Sequence, residues 1–452
     1  MRLAVLDIVG LSESLLGPHL PGLTAFAEKH GRQSYAPAFP AVTCTAQSSI
    51  ITGASPARHG IVANGWYERE SAEVRFWKQS NHLVRGEKLW DKLRREIPGF
   101  TCAKLFWWYN MHSTADFTIT PRPLYPADGR KVFDIHTQPM PMRDELKRDL
   151  GEFPFRSFWG PAAGIASSEW IAAAAKWVEA KHSPTLSLVY LPHLDYPLQK
   201  DGPHAHNIPA ELEKIDRVAS DLIAFYQARG VRVLVLSEYG ISAVTRPLHL
   251  NRLFRAKGWL LLKNELGRET LDCGGSRAFA VADHQVAHVY VNDRPLLGEA
   301  RSLLENTPGI AEVRDPAETW GPGIATERAG DFIAVAEPDA WFTYYFWEND
   351  ALAPDYARTI DIHRKPGYDP CELFIDPALK LPKLEIAKFL FKKKLGLRGL
   401  LEVIPLDATL VKGSHGRDRT AANERPVLLG TRSPASCAED VHQAILEAVR
   451  TG

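Results

Sequence analysis

Short runs of apolar and β-branched residues alternate with segments of helical periodicity along most of the chain. The run Leu3-Ala4-Val5-Leu6 stays apolar until Asp7 closes it, and runs of the same kind at residues 103–107, 186–191, 231–236 and 287–291 also predict core strands, with a further one at 332–336. Apolar residues recurring every three to four positions predict helices over residues 20–29, 168–181, 209–229, 295–305 and 439–450. This alternation fits an α/β protein in which a mostly parallel sheet is covered by helices on both faces. Two stretches break the rhythm. Residues 67–157 are rich in aromatics and prolines, and residues 293–405 contain the run Trp341-Phe342-Thr343-Tyr344-Tyr345-Phe346-Trp347. Long excursions from a compact core usually cover a site, so both read as insertions. The expected division is a first core part at 1–66, mixed core and insertion at 67–157, a second core part at 158–292, an inserted cap at 293–405 and a C-terminal core part at 406–452.

Composition narrows the picture by exclusion. Hydrophobic residues make up 45% and charged residues 24%, as in an ordinary globular chain. Lys plus Arg equals Asp plus Glu at 54 each, so nothing points to a nucleic-acid polymer as partner. No stretch reaches the roughly 20 apolar residues of a membrane span. The first strand follows Met1-Arg2 directly with no secretory leader before it, and the five cysteines are scattered without a CxxC pair. The expected compartment is the cytoplasm. Residues 380–394 set Lys388, Lys392, Lys393 and Lys394 among Leu and Phe. That is the pattern of a solvated amphipathic helix, with a basic rim for an anionic substrate or a membrane-surface helix as the alternatives.

Candidate chemistry clusters where strands end, the place where open α/β sheets bind ligands. Asp7 closes the first strand and reads either as a metal ligand or as a cap of the next turn. In Phe39-Pro40-Ala41-Val42-Thr43-Cys44-Thr45, a proline-bearing loop delivers Thr43 to the start of a short helix that Gly53 stops. A helix N-terminus favours an anionic oxygen, so Thr43 or Thr45 is either a nucleophile or a helix cap. Asp195 ends the strand at 186–191, with Gln199 four residues on, and Glu238-Tyr239-Gly240 follows the strand at 231–236. Late in the chain, Gly413-Ser414-His415-Gly416 places a histidine between glycines, able to approach a site closely.

In their order, these residues resemble the nucleotide pyrophosphatase/phosphodiesterase branch of the alkaline-phosphatase superfamily. Thr52-Gly53, Pro56 and His59-Gly60-Ile61 look like that superfamily's TG…P…HGI stretch, and Asn64-Gly65-Trp66-Tyr67 looks like its N-x-x-Y segment. The step from Thr43 to Asn64 favours Thr43 over Thr45 as the nucleophile. The resemblance implies an alkaline-phosphatase-like three-layer sandwich with a mostly parallel sheet and an inserted cap. It also implies one or two divalent metal ions flanking a threonine nucleophile that forms a covalent phospho-enzyme, and an asparagine, Asn64, that contacts a phosphate oxygen. By position, one metal would take Asp195, Gln199 and His415, and the other Asp7, Thr43, Glu238 and Tyr239.

The chain departs from that family in its ligands. Where the family has Asp-x-x-x-His, this sequence has Asp195-x-x-x-Gln199, and where it has Asp-His-Gly, this sequence has Glu238-Tyr239-Gly240. Only His415 remains of three histidine ligands. Imidazole suits zinc, whereas the oxygen-rich set left here suits harder ions such as Mn²⁺ or Mg²⁺. Tyr239 reads as a ligand or as a neutral hydrogen-bonding neighbour. His284, Asp361 and His363 are further candidates to line the site, His193 reads as structural, and Cys44 as a packing residue. The expected function is metal-dependent hydrolysis of phosphodiester or pyrophosphate bonds in a small phosphorylated metabolite. The alternatives are hydrolysis of the C–P bond of a phosphonate, or a non-catalytic relative that binds a phosphorylated ligand.

Overall fold

All six residues of the first strand are buried, a pattern that requires cover on both faces of the sheet. The computed structural model describes residues 1–397 and 399–451; of the lysines at 380–394, the Lys393 side chain lies outside the described residues. The strands that matter for the site are β1 (Leu3–Ile8), β2 (Arg32–Ser34), β3 (Cys102–Leu105), β4 (Phe117–Pro121), β5 (Ile135–Gln138), β6 (Leu186–Leu191), β7 (Arg232–Leu236), β8 (Ala278–Asp283), β9 (Val286–Val291), β10 (Ile310–Arg314), β11 (Phe332–Ala336) and β12 (Val427–Leu429). The main helices are α1 (Pro21–His30), α2 (Thr43–Thr52), α3 (Ile165–His182), α4 (Asp195–Asp201), α5 (Ile208–Gln227), α6 (Pro382–Lys394) and α7 (Ala438–Arg450).

The main sheet runs β2-β12-β7-β1-β6-β3-β4-β5. Its five inner strands, β7, β1, β6, β3 and β4, are parallel, and the edges close with antiparallel neighbours. Helices α1, α3 and α5 pack together on one side, while α2 and α7 pack against each other on the other side. The result is the α/β sandwich expected from the alternation of strands and helices. Parallel pairing sets β1 between β6 and β7, with Asp7 level with Tyr190 and Leu236. The C-terminal ends of these three strands therefore deliver Asp7, Asp195 and Glu238 to one edge of the sheet.

The strands expected at 287–291 and 332–336 belong elsewhere. They form a second, four-stranded antiparallel sheet in the order β8-β9-β11-β10, with its own apolar core. The reason is local. β9 follows β8 through the two residues His284 and Gln285, and so short a link permits only antiparallel pairing.

Beyond this sheet, residues 361–373 are held by a buried ion cluster. Lys365 Nζ lies 2.7 Å from Asp369 Oδ2 and 2.7 Å from Glu372 Oε1, and all three side chains are inaccessible to water. Burial lowers the lysine's proton affinity, but the two carboxylates outweigh it and push its pKa up to about 12. Removing the cation would strand two buried carboxylates. Lys365→Ala is therefore expected to lower the unfolding free energy by about 3 kcal/mol, to be read from the denaturant midpoint at unchanged slope. Among the described residues, no helix is long and apolar enough to cross a membrane.

Candidate active site

Thr43 opens α2 because Val42 before it is extended (φ −131°, ψ 152°) and the chain turns helical at the threonine. The helix stops at Gly53, where φ of 61° lets the cap N–H reach the Ser49 carbonyl. Thr43 is buried, and its hydroxyl lies 2.9 Å from the hydroxyl of Tyr239. One turn along the same helix face, Gln47 donates its amide to Glu238 Oε1 (2.5 Å) and more weakly to Asp7 Oδ2 (3.4 Å), while its own carbonyl accepts the Trp108 N–H at 2.7 Å. Asp7 and Glu238 stand at the ends of neighbouring parallel strands, so their carboxyl groups lie close together with the Gln47 amide bridging them.

The other half of the site is built on α4. Asp195 begins this helix, and Gln199 one turn later donates to Asp195 Oδ2 at 2.8 Å. The carbonyl of Gln199 accepts the Tyr368 hydroxyl at 2.9 Å. Tyr239 reaches across with its hydroxyl 3.4 Å from Asp195 Oδ1. His415 arrives beside them because Gly413 runs so close to α4 that a Cβ there would lie 2.0 Å from the Leu198 carbonyl oxygen. Its Nδ1 is 2.7 Å from the Ala41 carbonyl and so carries the proton, leaving Nε2 a bare lone pair 3.9 Å from Asp195 Oδ1.

Four rings stack through this region. Tyr239 lies against His415 (centroids 3.6 Å), His415 against His284 (3.8 Å), and His284 against Tyr368 (3.6 Å). His284 occupies the first position of the β8–β9 turn at φ 60°, a left-handed conformation costly for any residue with a side chain. Asp283 beside it accepts the backbone N–H of Asn64 (2.8 Å), the Asn64 amide (3.1 Å) and His284 Nδ1 (2.7 Å). Asn64 Oδ1 accepts the N–H of Cys44, the residue after Thr43, at 2.9 Å. The asparagine is thus fixed beside the threonine, with the second N–H of its amide left for a ligand oxygen.

Burial governs the electrostatics. It pushes Asp7 up to about 7, partly offset by Glu238 and the Gln47 amide beside it, and it raises Glu238 well above the usual carboxylate range, with repulsion from Asp7 adding to the effect. Both shifts favour the protonated carboxyls when no cation lies between them. Burial likewise lifts Asp195 to about 7 against the hydrogen bonds of Gln199 and Tyr239. It holds His415 and His284 neutral and the Tyr239 phenol protonated.

The structure brings Asp7, Thr43, Asn64, Asp195, Gln199, Glu238, Tyr239 and His415 together, and His284 joins them. Asp361 and His363 make no described contact with these residues. The Asp361 N–H is taken by Glu372, His363 is exposed, and the ion cluster under Lys365 holds their loop so that Tyr368 faces the site instead. His193 pairs with Glu211, facing away, and Cys44 is a buried packing residue. Sequence reasoning overlooked Gln47 and the clamp made by Asp283. The spacing of Gln47 from Thr43, one helical turn, was the available signal for the first.

The two halves differ in their fit to a cation. Asp7 Oδ1 and Glu238 Oε2 are buried without partners on the two carboxyls that Gln47 bridges, one helical turn from Thr43, an all-oxygen set suited to a hard divalent ion. Around Asp195 the phenol of Tyr239 and the amide of Gln199 occupy the carboxylate, and neither is a good ligand. Among the described residues, no three His, Cys, Asp or Glu side chains converge as a ligand cluster. The residues therefore fit one cation at Asp7, Glu238 and Thr43, and do not fit a second at Asp195.

Comparison with known proteins places this arrangement. The sequence profile of the type I phosphodiesterase/nucleotide pyrophosphatase family matches residues 3–369. An uncharacterised pyrophosphatase/phosphodiesterase of Schizosaccharomyces pombe is 24% identical over 312 residues, which is 66% of this chain and 55% of that protein. The chain thus spans little more than half the length of that curated relative. Among solved structures, phosphonoacetate hydrolase from Sinorhizobium meliloti in complex with phosphonoacetate superposes with a TM-score of 0.64 at 14% identity, over 99% of this chain and 96% of that one. Murine ectonucleotide pyrophosphatase/phosphodiesterase 5 in complex with AMP gives a TM-score of 0.60 at 14% identity, over 100% of this chain and 95% of that one. Both share the fold.

Proposed function

Because this chain belongs to the type I phosphodiesterase/nucleotide pyrophosphatase family, we propose that it hydrolyses a phosphodiester or pyrophosphate bond of a small phosphorylated metabolite, with Thr43 as the nucleophile. The observation that supports this reading is a pair of buried carboxylates, each keeping an unpartnered oxygen, bridged by Gln47 one helical turn from Thr43. A divalent cation held by Asp7, Glu238 and Thr43 would supply positive charge that lowers the proton affinity of the hydroxyl. Manganese or magnesium suits these oxygen donors better than zinc.

The chain's own groups would do the rest. The Thr43 oxygen attacks phosphorus, the bond to the leaving oxygen breaks, and the phosphoryl group passes to the threonine until water releases it. Thr43 stands at the N-terminus of α2, where the helix dipole favours the oxyanion and the incoming phosphate. The Asn64 amide, held by Asp283, offers its free N–H to a phosphate oxygen. Tyr239 donates to or accepts from the resting hydroxyl and must release it before attack.

The test is turnover of an activated phosphodiester and of a pyrophosphate after chelation and re-addition of Mn²⁺, Mg²⁺ or Zn²⁺. Cation-dependent hydrolysis, with a harder ion outperforming zinc, is expected. No turnover with any of the three would overturn the reading and leave a ligand-binding role. A parallel panel of phosphonates separates cleavage of the C–P bond, the reading favoured by the altered shell around Asp195. The proposed compartment is the cytoplasm.

A further inference from the structure

We propose that α6 and the turn after it dock this protein on an anionic lipid surface. The inference is independent of the hydrolase reading. A solvated amphipathic helix keeps its apolar residues inward, whereas α6 exposes most of its apolar residues together with its lysines. Ile386 packs inward against the aromatic cluster around Tyr344 and Tyr345, while Leu384, Leu390, Phe391, Leu395, Leu397 and Leu400 are 39% to 63% exposed. Leu384, Phe391 and Leu395 recur at the spacing of one helix face, so their exposure forms a continuous outer seam. Apolar side chains scattered singly over a surface need no explanation, but a concentration of this kind marks a contact.

Charge identifies what is contacted. The chain as a whole is neutral, yet residues 380–394 carry six lysines against a single acid, Glu385. Glu385 is taken by Lys388 at 2.9 Å, and among the described residues Lys380, Lys383, Lys392 and Lys394 have no ion-pair partner. A second copy of the chain would bring one lysine-rich seam against another, which like-charge repulsion opposes. An anionic bilayer satisfies both features at once. The leucines and Phe391 enter the boundary between headgroups and acyl chains, and the lysine stems lie along the apolar surface with their ammonium groups among the phosphates.

The full chain is to be floated with vesicles of phosphatidylcholine alone and of phosphatidylcholine with phosphatidylserine, at low and high salt. Binding is expected only to the serine-containing vesicles, weakening at high salt. It should be lost in the Leu384→Glu/Phe391→Glu variant, and each of Lys383→Gln and Lys392→Gln should weaken it by roughly fivefold. These positions are exposed, so an unchanged thermal midpoint will show that the variants fold. Absence of vesicle binding, or equal binding to both lipids, overturns the proposal. So does a concentration-dependent dimer in sedimentation that the Leu384→Glu/Phe391→Glu variant abolishes, since a second copy would then cover the seam.

Discussion

Replacing Thr43 by alanine is expected to lower the cation-dependent hydrolysis of an activated phosphodiester by about 10³-fold or more, with the fold intact. The loss follows from geometry. Thr43 sets its hydroxyl 2.9 Å from that of Tyr239, one helical turn from the Gln47 that bridges Asp7 and Glu238, and the next threonine cannot replace it, because Thr45 turns its hydroxyl to the Ile61 carbonyl at 3.2 Å. Stability should scarcely change, since alanine suits the first turn of a helix and Thr43 makes no cap hydrogen bond there. Thr43→Ser keeps the oxygen and should retain measurable turnover. Wild-type rates in Thr43→Ala, at the same cation concentration, would remove the threonine from the reaction.

How far the site could be read beforehand depends on which interactions fix each part. The parallel strands announced themselves through runs such as Leu186–Leu191, buried at every position, whose ends had to lie side by side. That is why Asp7, Asp195 and Glu238 could be grouped before any geometry was known. The destination of β9 was hidden, because its apolar run is the same in a parallel core strand as in one arm of a hairpin, and only the two-residue link to β8 decides. Tyr368 and Asp283 act on Gln199 and Asn64 across more than 160 residues of chain, through side-chain hydrogen bonds that leave no periodic trace. Asp361 and His363 looked as chemically rich as Tyr368. The burial of Lys365 with Asp369 and Glu372 decided among them, and burial is not legible in a polar loop sequence.

Gln199 and Tyr239, at positions where the family resemblance implies histidines, lead to the second large expectation. Wild-type protein should bind one divalent cation per chain at saturation, and the Gln199→His/Tyr239→His variant should bind two, with zinc affinity raised on the order of a hundredfold or more. Three features of the Asp195 half support this. His415 already presents its Nε2 lone pair, since Nδ1 is committed to the Ala41 carbonyl. A histidine at 199 would sit one helical turn from Asp195, on the same face, in place of an amide that now spends its N–H on that carboxylate. Removing the phenol at 239 frees both Thr43 and Asp195 from a neutral hydroxyl that burial keeps protonated. Elemental analysis after dialysis against each metal, with calorimetric titration, would count the cations and rank the affinities. Two equivalents of zinc on the wild-type chain would show that Gln199 and Tyr239 do not close this half of the site. An unchanged count in the variant would show that the stacked rings of His284 and Tyr368 close it instead, because their separation of 3.6 Å leaves the wall behind Gln199 no room to move.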